Sequence, residues 1–183
     1  MASPSKEEKI LELILENSPL RRWHFNEFVE KTGITKAAVN KWLKRYQKKG
    51  IIKKIKEKGQ FPYYTAGKDN PSYKSKKRLY ALEKLYQSGL IEELTKLKKA
   101  KTIIIFGSII KGDWYKGSDI DIFIYGNPEK IKKYKYEKIL KKDIELHIFD
   151  SRQNIEKVKT GLIKNIIDGH IVKGSIQDFA KVS

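Results

Sequence analysis

The chain has 183 residues, of which 39% are hydrophobic, enough for one large domain or two small ones with a buried core. It has no cysteine, which excludes disulfides and thiolate metal sites, and its three histidines are too scattered for a His-rich metal site. The net charge of +18 favours a polyanionic partner, although a lysine-rich proteome would also explain the excess.

The sequence gives no indication of a membrane segment. It has no apolar run of about 18 residues, the length that a spanning helix needs. The first residues, MASPSKEEKI, lack the long apolar segment of a signal peptide. We therefore expect a cytoplasmic protein without membrane contact.

Three helices and a hairpin are predicted in the N-terminal part. Ser5 followed three residues later by Glu8 is a capping box, and the Ile- and Leu-rich segment after it predicts the first helix. Residues 24–33 predict a short second helix that ends at Gly33, and Thr35 can cap a third helix that ends at Gly50. Residues 51–66, IIKKIKEKGQFPYYTA, then predict a β-hairpin.

This order of elements, and above all EKTGITKAAVNKWLKRYQKKGIIKKI, resembles the winged helix-turn-helix family over residues 5–67. The resemblance implies a nucleic-acid-binding domain at residues 1–68. Charge supports it, because residues 31–58 hold eleven Lys or Arg and one acid, for a net +10. The expected contacts with DNA or RNA are Lys36, Asn40, Lys41, Lys44, Arg45, Lys54, Lys56 and Lys58. The alternative is a basic surface used only for protein contacts.

The next segment is expected to connect two domains. Residues 67–77, GKDNPSYKSKK, are polar with Gly and Pro and predict a linker. Residues 77–89 predict a helix, and residues 90–100 predict the start of another. We therefore assign residues 69–89 to a linker with a connecting helix, and residues 90–183 to a second domain.

Three strands are predicted in the second half, and two of them carry acids. KTIIIFGS, SDIDIFIYG and DIELHIFD each predict a strand, and NPEKIKKYKYEKILKK predicts a basic helix from Asn127 onward. Asp119 and Asp121 are two residues apart, so on a strand they project from the same face. Two converging carboxylates repel each other unless a cation lies between them, and oxygen ligands suit Mg²⁺ or Mn²⁺. Glu145 can add a third carboxylate if the third strand lies beside the second.

Ten residues separate a Gly-Ser pair from the first of these aspartates. Gly107 allows backbone to approach a ligand, and the following N–H groups with the Ser108 hydroxyl can hold a phosphate. A phosphate site and a metal site at adjacent strand ends are typical of metal-assisted phosphoryl or nucleotidyl transfer.

The Gly-Ser pair, the spacer, the Asp-x-Asp and the later DIELHIF resemble the minimal nucleotidyltransferases of the DNA polymerase beta superfamily over residues 90–175. LIKNIIDGHIVKG is similar to that family's closing helix and short strand. The expected fold class is therefore α+β, with an N-terminal winged helix-turn-helix and a C-terminal α/β palm built on a mixed sheet.

The resemblance also implies roles for individual residues. Gly107 and Ser108 would hold the β- and γ-phosphates of a nucleoside triphosphate, expected to be ATP, and Ser118 is placed with the nucleotide-binding residues. Asp119 and Asp121 would bind two Mg²⁺ or Mn²⁺ ions, and Glu145 would be a metal ligand or the base for the attacking hydroxyl. The chain departs from the family in two places. Many members have a basic residue where this chain has Ile109, and Lys111 is expected to supply that charge instead. Glu145 also replaces the usual aspartate.

Some alternatives stay open on the sequence alone. Trp114 and Tyr115 in the spacer either stack on a base or pack in the core, and His147 is expected to be a hydrogen-bonding neighbour of the acids. The first functional hypothesis is a nucleotidyltransferase with an unknown acceptor and a partner protein or second subunit as a candidate partner. The second is a DNA-binding regulator whose transferase-like domain senses nucleotide or mediates assembly. The third is an antitoxin that modifies a partner toxin.

Overall fold

A computed structural model describes residues 5–128 and 130–180, and the chain divides into two compact units, Met1–Lys77 and Arg78–Ser183. The predicted helix from Asn127 onward includes Glu129, which lies outside the described residues. Among the described residues, none of the helices combines the length and the apolar character that crossing a bilayer requires.

The first unit consists of helices followed by a hairpin. Its elements are α1 (Lys6–Glu16), β1 (Trp23–His24), α2 (Phe25–Thr32), α3 (Lys36–Lys48), β2 (Ile52–Ile55) and β3 (Tyr63–Ala66). The strands form an antiparallel sheet in the order β1-β3-β2. The predicted capping box at Ser5 and Glu8 is confirmed, as are the Thr35 cap and the end of α2 at Gly33, whose φ is 67°. The predicted hairpin is also present.

The core of the first unit lies between the three helices and the sheet. Val39, Leu43 and Tyr46 are buried along one side of α3, as the helical spacing predicts, while Trp42 is only half-buried. The Tyr46 hydroxyl donates a hydrogen bond of 3.0 Å to the carbonyl of Glu7 and so ties α3 to α1.

The helix α4 (Pro71–Gln87) corrects the predicted linker. Residues 71–77 are helical although they are polar, because Pro71 stands in the first turn, where its missing N–H costs no hydrogen bond. The polar segment outside a helix is therefore shorter than the expected residues 67–77.

The second unit continues with helices packed on both faces of a sheet. Its further elements are α5 (Leu90–Thr95), β4 (Ala100–Phe106), α6 (Ser108–Lys111), β5 (Ile120–Gly126), α7 (Lys133–Leu140), β6 (Ile144–Phe149), α8 (Arg152–Glu156), α9 (Thr160–Ile167), β7 (His170–Lys173) and a short 3₁₀ helix (Ile176–Asp178). The sheet order is β6-β5-β4-β7. Strand β5 is parallel to β6, and β4 is antiparallel to β5 and β7. The expected mixed sheet is thus confirmed. The basic helix begins at Lys133, later than the Asn-Pro signal predicted.

Two hydrophobic clusters cover the two faces of this sheet. One contains Ile120, Ile122 and Ile124 together with side chains of α5, α6 and α7. The other contains Phe106, Phe123 and side chains of α8 and α9. Because side chains alternate along a strand, Asp121 projects toward the side of Phe123 and away from the three isoleucines.

Candidate active site

Strand register brings Asp121 and Glu145 together at one end of the sheet. Asp121 pairs with Glu145 on the parallel neighbour β6 and with Phe106 on the antiparallel neighbour β4. Partners in register project from the same face of a sheet. The third strand therefore lies beside the second, which is the condition under which Glu145 can add a third carboxylate.

His147 lies between the two carboxylates. Its Nε2 is 3.4 Å from Asp121 Oδ1 and 3.7 Å from Glu145 Oε1, and its ring centroid is 5.0 Å from that of Phe106. One ligand atom each from Asp121, Glu145 and His147 lie within 4.8 Å of one another. The expected neighbour role of His147 agrees with these distances.

The fold raises the pKa of Asp121. Burial raises its pKa, the His147 hydrogen bond lowers it, and the negative charges of Glu145 and Asp119 raise it. The net direction is upward. Its side chain is 25% exposed, whereas the Glu145 side chain is 61% exposed. A cation at this point would lower the pKa of Asp121 and so oppose the effects of burial and of the neighbouring acids.

Gly107 is required by the position of Asp121. A Cβ built on Gly107 would lie 2.1 Å from Asp121 Oδ2 and 3.0 Å from its Cγ. Gly107 also has φ 77° and ψ −154°, a region that only glycine adopts readily. The glycine of the Gly-Ser motif therefore gives the Asp121 carboxylate its space.

Asp119 lies just outside the strand. It is exposed and directly precedes β5, and its carboxylate does not belong to the three-residue group defined by the 4.8 Å limit. Its charge nevertheless raises the pKa of Asp121. The structure thus keeps the two aspartates within electrostatic range without placing Asp119 in the closest cluster.

The loop before Asp119 is tied down by Lys142. Its ammonium donates hydrogen bonds to the carbonyls of Tyr115 (2.7 Å), Ser118 (3.2 Å) and Lys116 (3.4 Å). The Ser118 hydroxyl accepts from the Tyr115 N–H at 3.0 Å. The expected nucleotide residue Ser118 therefore has a structural bond in this loop. No sequence motif predicts the role of Lys142, because that role depends on where α7 ends.

The residues after Gly107 differ in environment. Ser108 is half-buried at the first position of α6. Ile109 is 3% exposed and belongs to the core, so a basic residue at this position would point into the core. Lys111 is exposed, and its ammonium donates to Asn165 Oδ1 at 2.6 Å.

The two aromatic residues of the spacer, Trp114 and Tyr115, lie in different environments. Trp114 is 3% exposed and stacks on Tyr80 with ring centroids 6.1 Å apart, so it is part of the core. Tyr115 is 51% exposed.

The residues expected to contact nucleic acid in the first unit, seven of them basic and one the neutral Asn40, are all exposed. They are Lys36, Asn40, Lys41, Lys44, Arg45, Lys54, Lys56 and Lys58. The Arg45 guanidinium lies 5.0 Å from the centroid of the Trp42 ring, which explains the partial burial of that indole.

Comparison with known proteins finds one family model that matches part of the second unit. Residues 88–173 match the model of the family described as "Nucleotidyltransferase domain". The chain is also similar to a solved structure described as a toxin-antitoxin with AMP-PNP, at 19% identity and a TM-score of 0.32. A mutant of the toxin-antitoxin MntA-HpeT is similar at 18% identity and a TM-score of 0.32. Each likeness covers 55% of this chain and 76% of the other.

No curated protein matches the chain. The two structural likenesses are too weak to support a functional argument, so the assignment depends on the family match. That match covers the Gly-Ser pair, both aspartates and Glu145, and it agrees with the expected residues 90–175. The match of residues 88–173 to the model of a nucleotidyltransferase domain supports a transferase activity.

Proposed function

We propose that the second unit is a metal-dependent transferase that moves a nucleoside monophosphate from a nucleoside triphosphate, with ATP as the expected donor, to an acceptor hydroxyl. One observation carries the proposal. Asp121 and Glu145 stand side by side on parallel strands within the domain match, and Asp121 lies against the bare Cα of Gly107.

The side chains in this cluster suit a divalent cation. Asp121 and Glu145 offer carboxylate oxygens and His147 offers a ring nitrogen, all within 4.8 Å, while Asp119 stands nearby as a further carboxylate. Oxygen donors favour Mg²⁺ or Mn²⁺, and Mn²⁺ also accepts imidazole. When bound, such an ion would supply positive charge to the phosphates and lower the pKa of a coordinated hydroxyl.

The chain's own residues would orient the reactants. Gly107 and Ser108 would hold the terminal phosphates, with Lys111 and Ser118 at the border of the same site. Glu145 would accept the proton of the acceptor hydroxyl, whose oxygen forms a new bond to the α-phosphorus. The bond from that phosphorus to the bridging oxygen breaks, and pyrophosphate leaves. The exposed position of Glu145 supports this role, because a base needs access to the incoming acceptor.

The test is a labelling assay with ATP radiolabelled at its α-phosphate, Mg²⁺ or Mn²⁺, and protein, RNA and small-molecule fractions of a lysate. We expect wild-type protein to label an acceptor and the Asp119→Asn, Asp121→Asn double variant to label none. A matched control replaces two exposed acids outside the cluster, Asp143 and Asp150, with Asn. Equal labelling by the double variant and wild type would contradict the proposal. A labelled partner protein would favour the antitoxin alternative.

We further propose that the first unit is a winged helix-turn-helix that binds DNA or RNA. This proposal is supported by the exposed basic side of α3 and by the basic strand β2 with the loop that follows it. Together they concentrate positive charge in one stretch of the unit. The expected domain boundary at residue 68 and the second-domain start at residue 90 are part of this proposal.

Anisotropy with a labelled duplex at several salt concentrations tests this binding. The Lys41→Glu, Lys44→Glu variant should bind more weakly. The slope of log binding constant against log salt concentration should become shallower by about 0.9 for each phosphate contact that is lost. Lys6→Glu with Lys9→Glu on α1 is the matched control. Equal loss in both variants would contradict a specific surface. Specific DNA binding by a protein that labels no acceptor would favour the regulator alternative.

A further inference from the structure

A groove in the first unit combines aromatic, amide and cationic side chains. Its volume is about 520 Å³, within the range of about 300–1,000 Å³ that small-molecule and cofactor sites have. Side chains from β1, α2, α3, β2, β3 and the hairpin loop form its walls. The lining residues are His24, Phe25, Asn26, Asn40, Lys54, Phe61, Pro62 and Tyr64.

We propose that this groove holds an unpaired base of a single-stranded nucleic acid. The inference rests on the proposed nucleic-acid binding of this unit and adds the kind of strand that it prefers. Stacking of a base on an aromatic ring requires a π-face that the folded protein leaves free.

Phe61 provides that free face. It is 86% exposed in the loop between β2 and β3, so its ring contributes little to the folding of the unit. Phe61 follows residues 31–58, which hold eleven basic residues and one acid, and a large aromatic side chain in water at the border of a groove in such surroundings is typical of a surface that stacks bases. Tyr64, which is buried, lines the same groove.

The polar groups of the groove complement a nucleotide. Lys54 is exposed, pairs in register with Tyr64 across β2 and β3, and holds its ammonium 5.8 Å from the Tyr64 ring centroid. An ammonium there can contact the phosphate next to a base that enters the groove. Asn26 and Asn40 present amides, which both donate and accept hydrogen bonds and so suit the polar edge of a base.

The loop that carries Phe61 is anchored. The Tyr63 hydroxyl donates a hydrogen bond of 2.6 Å to the Glu57 carboxylate, and the Gln60 N–H donates to the Glu57 carbonyl at 3.2 Å. Arg22 lies 3.9 Å from the same carboxylate. An anchored loop loses less entropy when a ligand binds, which favours a built site over a chance arrangement.

An unpaired base fits this groove better than a base within a duplex does. Inside a duplex both faces of a base are covered by stacking and its pairing edge is occupied. The surrounding lysines can contact the phosphates of either form, so the groove residues alone should separate the two forms of nucleic acid.

The test compares a fluorescein-labelled single strand of about 12 nucleotides with a blunt duplex of the same sequence, using the full chain and anisotropy. Phe61→Ala should weaken binding of the single strand about tenfold and change duplex binding by less than about twofold. Phe61→Tyr keeps a ring and should bind like wild type. Tyr134→Ala, which removes an 84% exposed aromatic on α7, is the matched control and should change neither affinity. In addition, the fluorescent base 2-aminopurine within the single strand should be quenched by wild type and not by Phe61→Ala.

The outcomes separate this inference from the broader proposal. Duplex and single-strand binding by wild type, with no change in Phe61→Ala, would overturn the groove and leave nucleic-acid binding intact. Equal weakening of both ligands by Phe61→Ala would also overturn the preference for an unpaired base. If wild type binds neither ligand at low salt, both the groove and the proposed nucleic-acid binding are wrong.

Discussion

Replacing Gly107 with Ala tests how the site is built, because one added methyl group meets the carboxylate of Asp121. The new Cβ would lie 2.1 Å from Oδ2, 3.0 Å from Cγ and 3.4 Å from Cβ of Asp121. Rotation of the carboxylate alone relieves only the first of these contacts. The Asp121 side chain must therefore shift, and the 3.4 Å contact between its Oδ1 and His147 is expected to break.

Two costs can be separated in magnitude. Alanine at φ 77° and ψ −154° adopts a backbone region that is nearly exclusive to glycine, so we expect a loss of about 1–3 kcal/mol in the free energy of unfolding. Displacement of Asp121 should in addition weaken divalent-metal binding by about 10- to 100-fold, the range seen when the supporting contacts of a metal ligand are lost.

The assay is titration of Mn²⁺ followed by electron paramagnetic resonance, which needs no acceptor, together with urea unfolding. Gly89→Ala is the matched control in the same unit, because Gly89 also has a positive φ, of 80°, and no atom lies within 4 Å of its added Cβ. We expect the control to lose about 1–2 kcal/mol of stability and to keep wild-type Mn²⁺ affinity. If both variants keep that affinity, or if both lose it equally, the argument from Gly107 is refuted.

Three further predictions concern the same domain. Ile109→Lys should lose at least about 2 kcal/mol in urea unfolding, since it buries an ammonium in the core, and a stable variant with higher triphosphate affinity would contradict this. Glu145→Gln should lower the pKa of Asp121 in an NMR titration, because it removes a charge that raises that pKa. Because its pKa is raised, Asp121 holds its proton more tightly in the native state than in the unfolded chain. Without metal, its contribution to stability therefore falls as pH rises from 3.8 through the raised value, and Glu145→Gln should lose less stability over that range than wild type. An unchanged Asp121 pKa in the variant would refute the prediction. Lys142→Met should weaken Mn²⁺-dependent binding of a fluorescent ATP analogue about tenfold by releasing the loop before the aspartates, whereas Lys138→Met should not, and equal effects would argue against the loop's role.

Much of the fold could be predicted because the decisive signals are local. The capping box at Ser5, the glycine stop at Gly33 and the strand within DIELHIF depend on neighbouring residues only. The same holds for the isoleucines that follow each aspartate, which are buried as their period of two predicts. The prediction that the Gly-Ser pair and the acids belong to one site came from the family resemblance. The residues of the domain match include both.

The remaining features depend on contacts that are distant in sequence. Lys142 follows α7, and its carbonyl partners lie 24 to 27 residues earlier in the chain. Ile109 is buried because of how α6 packs. The family pattern, which expects a cation at this position, does not show that the side chain points into the core. Two predictions were wrong. The Asn-Pro signal placed the start of the basic helix at Asn127 instead of Lys133, and the polar composition of residues 67–77 concealed that residues 71–77 are helical, because such local signals compete weakly with tertiary packing.

The position of the acids is a consequence of the sheet's register, and the register is set by its two hydrophobic faces. Ile120, Ile122 and Ile124 fill the cluster on one face, while Phe123 and Phe106 fill the other. A slip of one residue between β5 and β6 would turn Glu145 away from Asp121 and move Ile144, which is 1% exposed, out of the core. Burial of apolar side chains thus opposes any register that separates the two carboxylates. Burial and, to a smaller extent, the negative charges of Glu145 and Asp119 raise the pKa of Asp121, and the packing of apolar side chains along the strands holds the carboxylates in this position. A cation would then bind to carboxylates that folding has already brought together against their mutual repulsion.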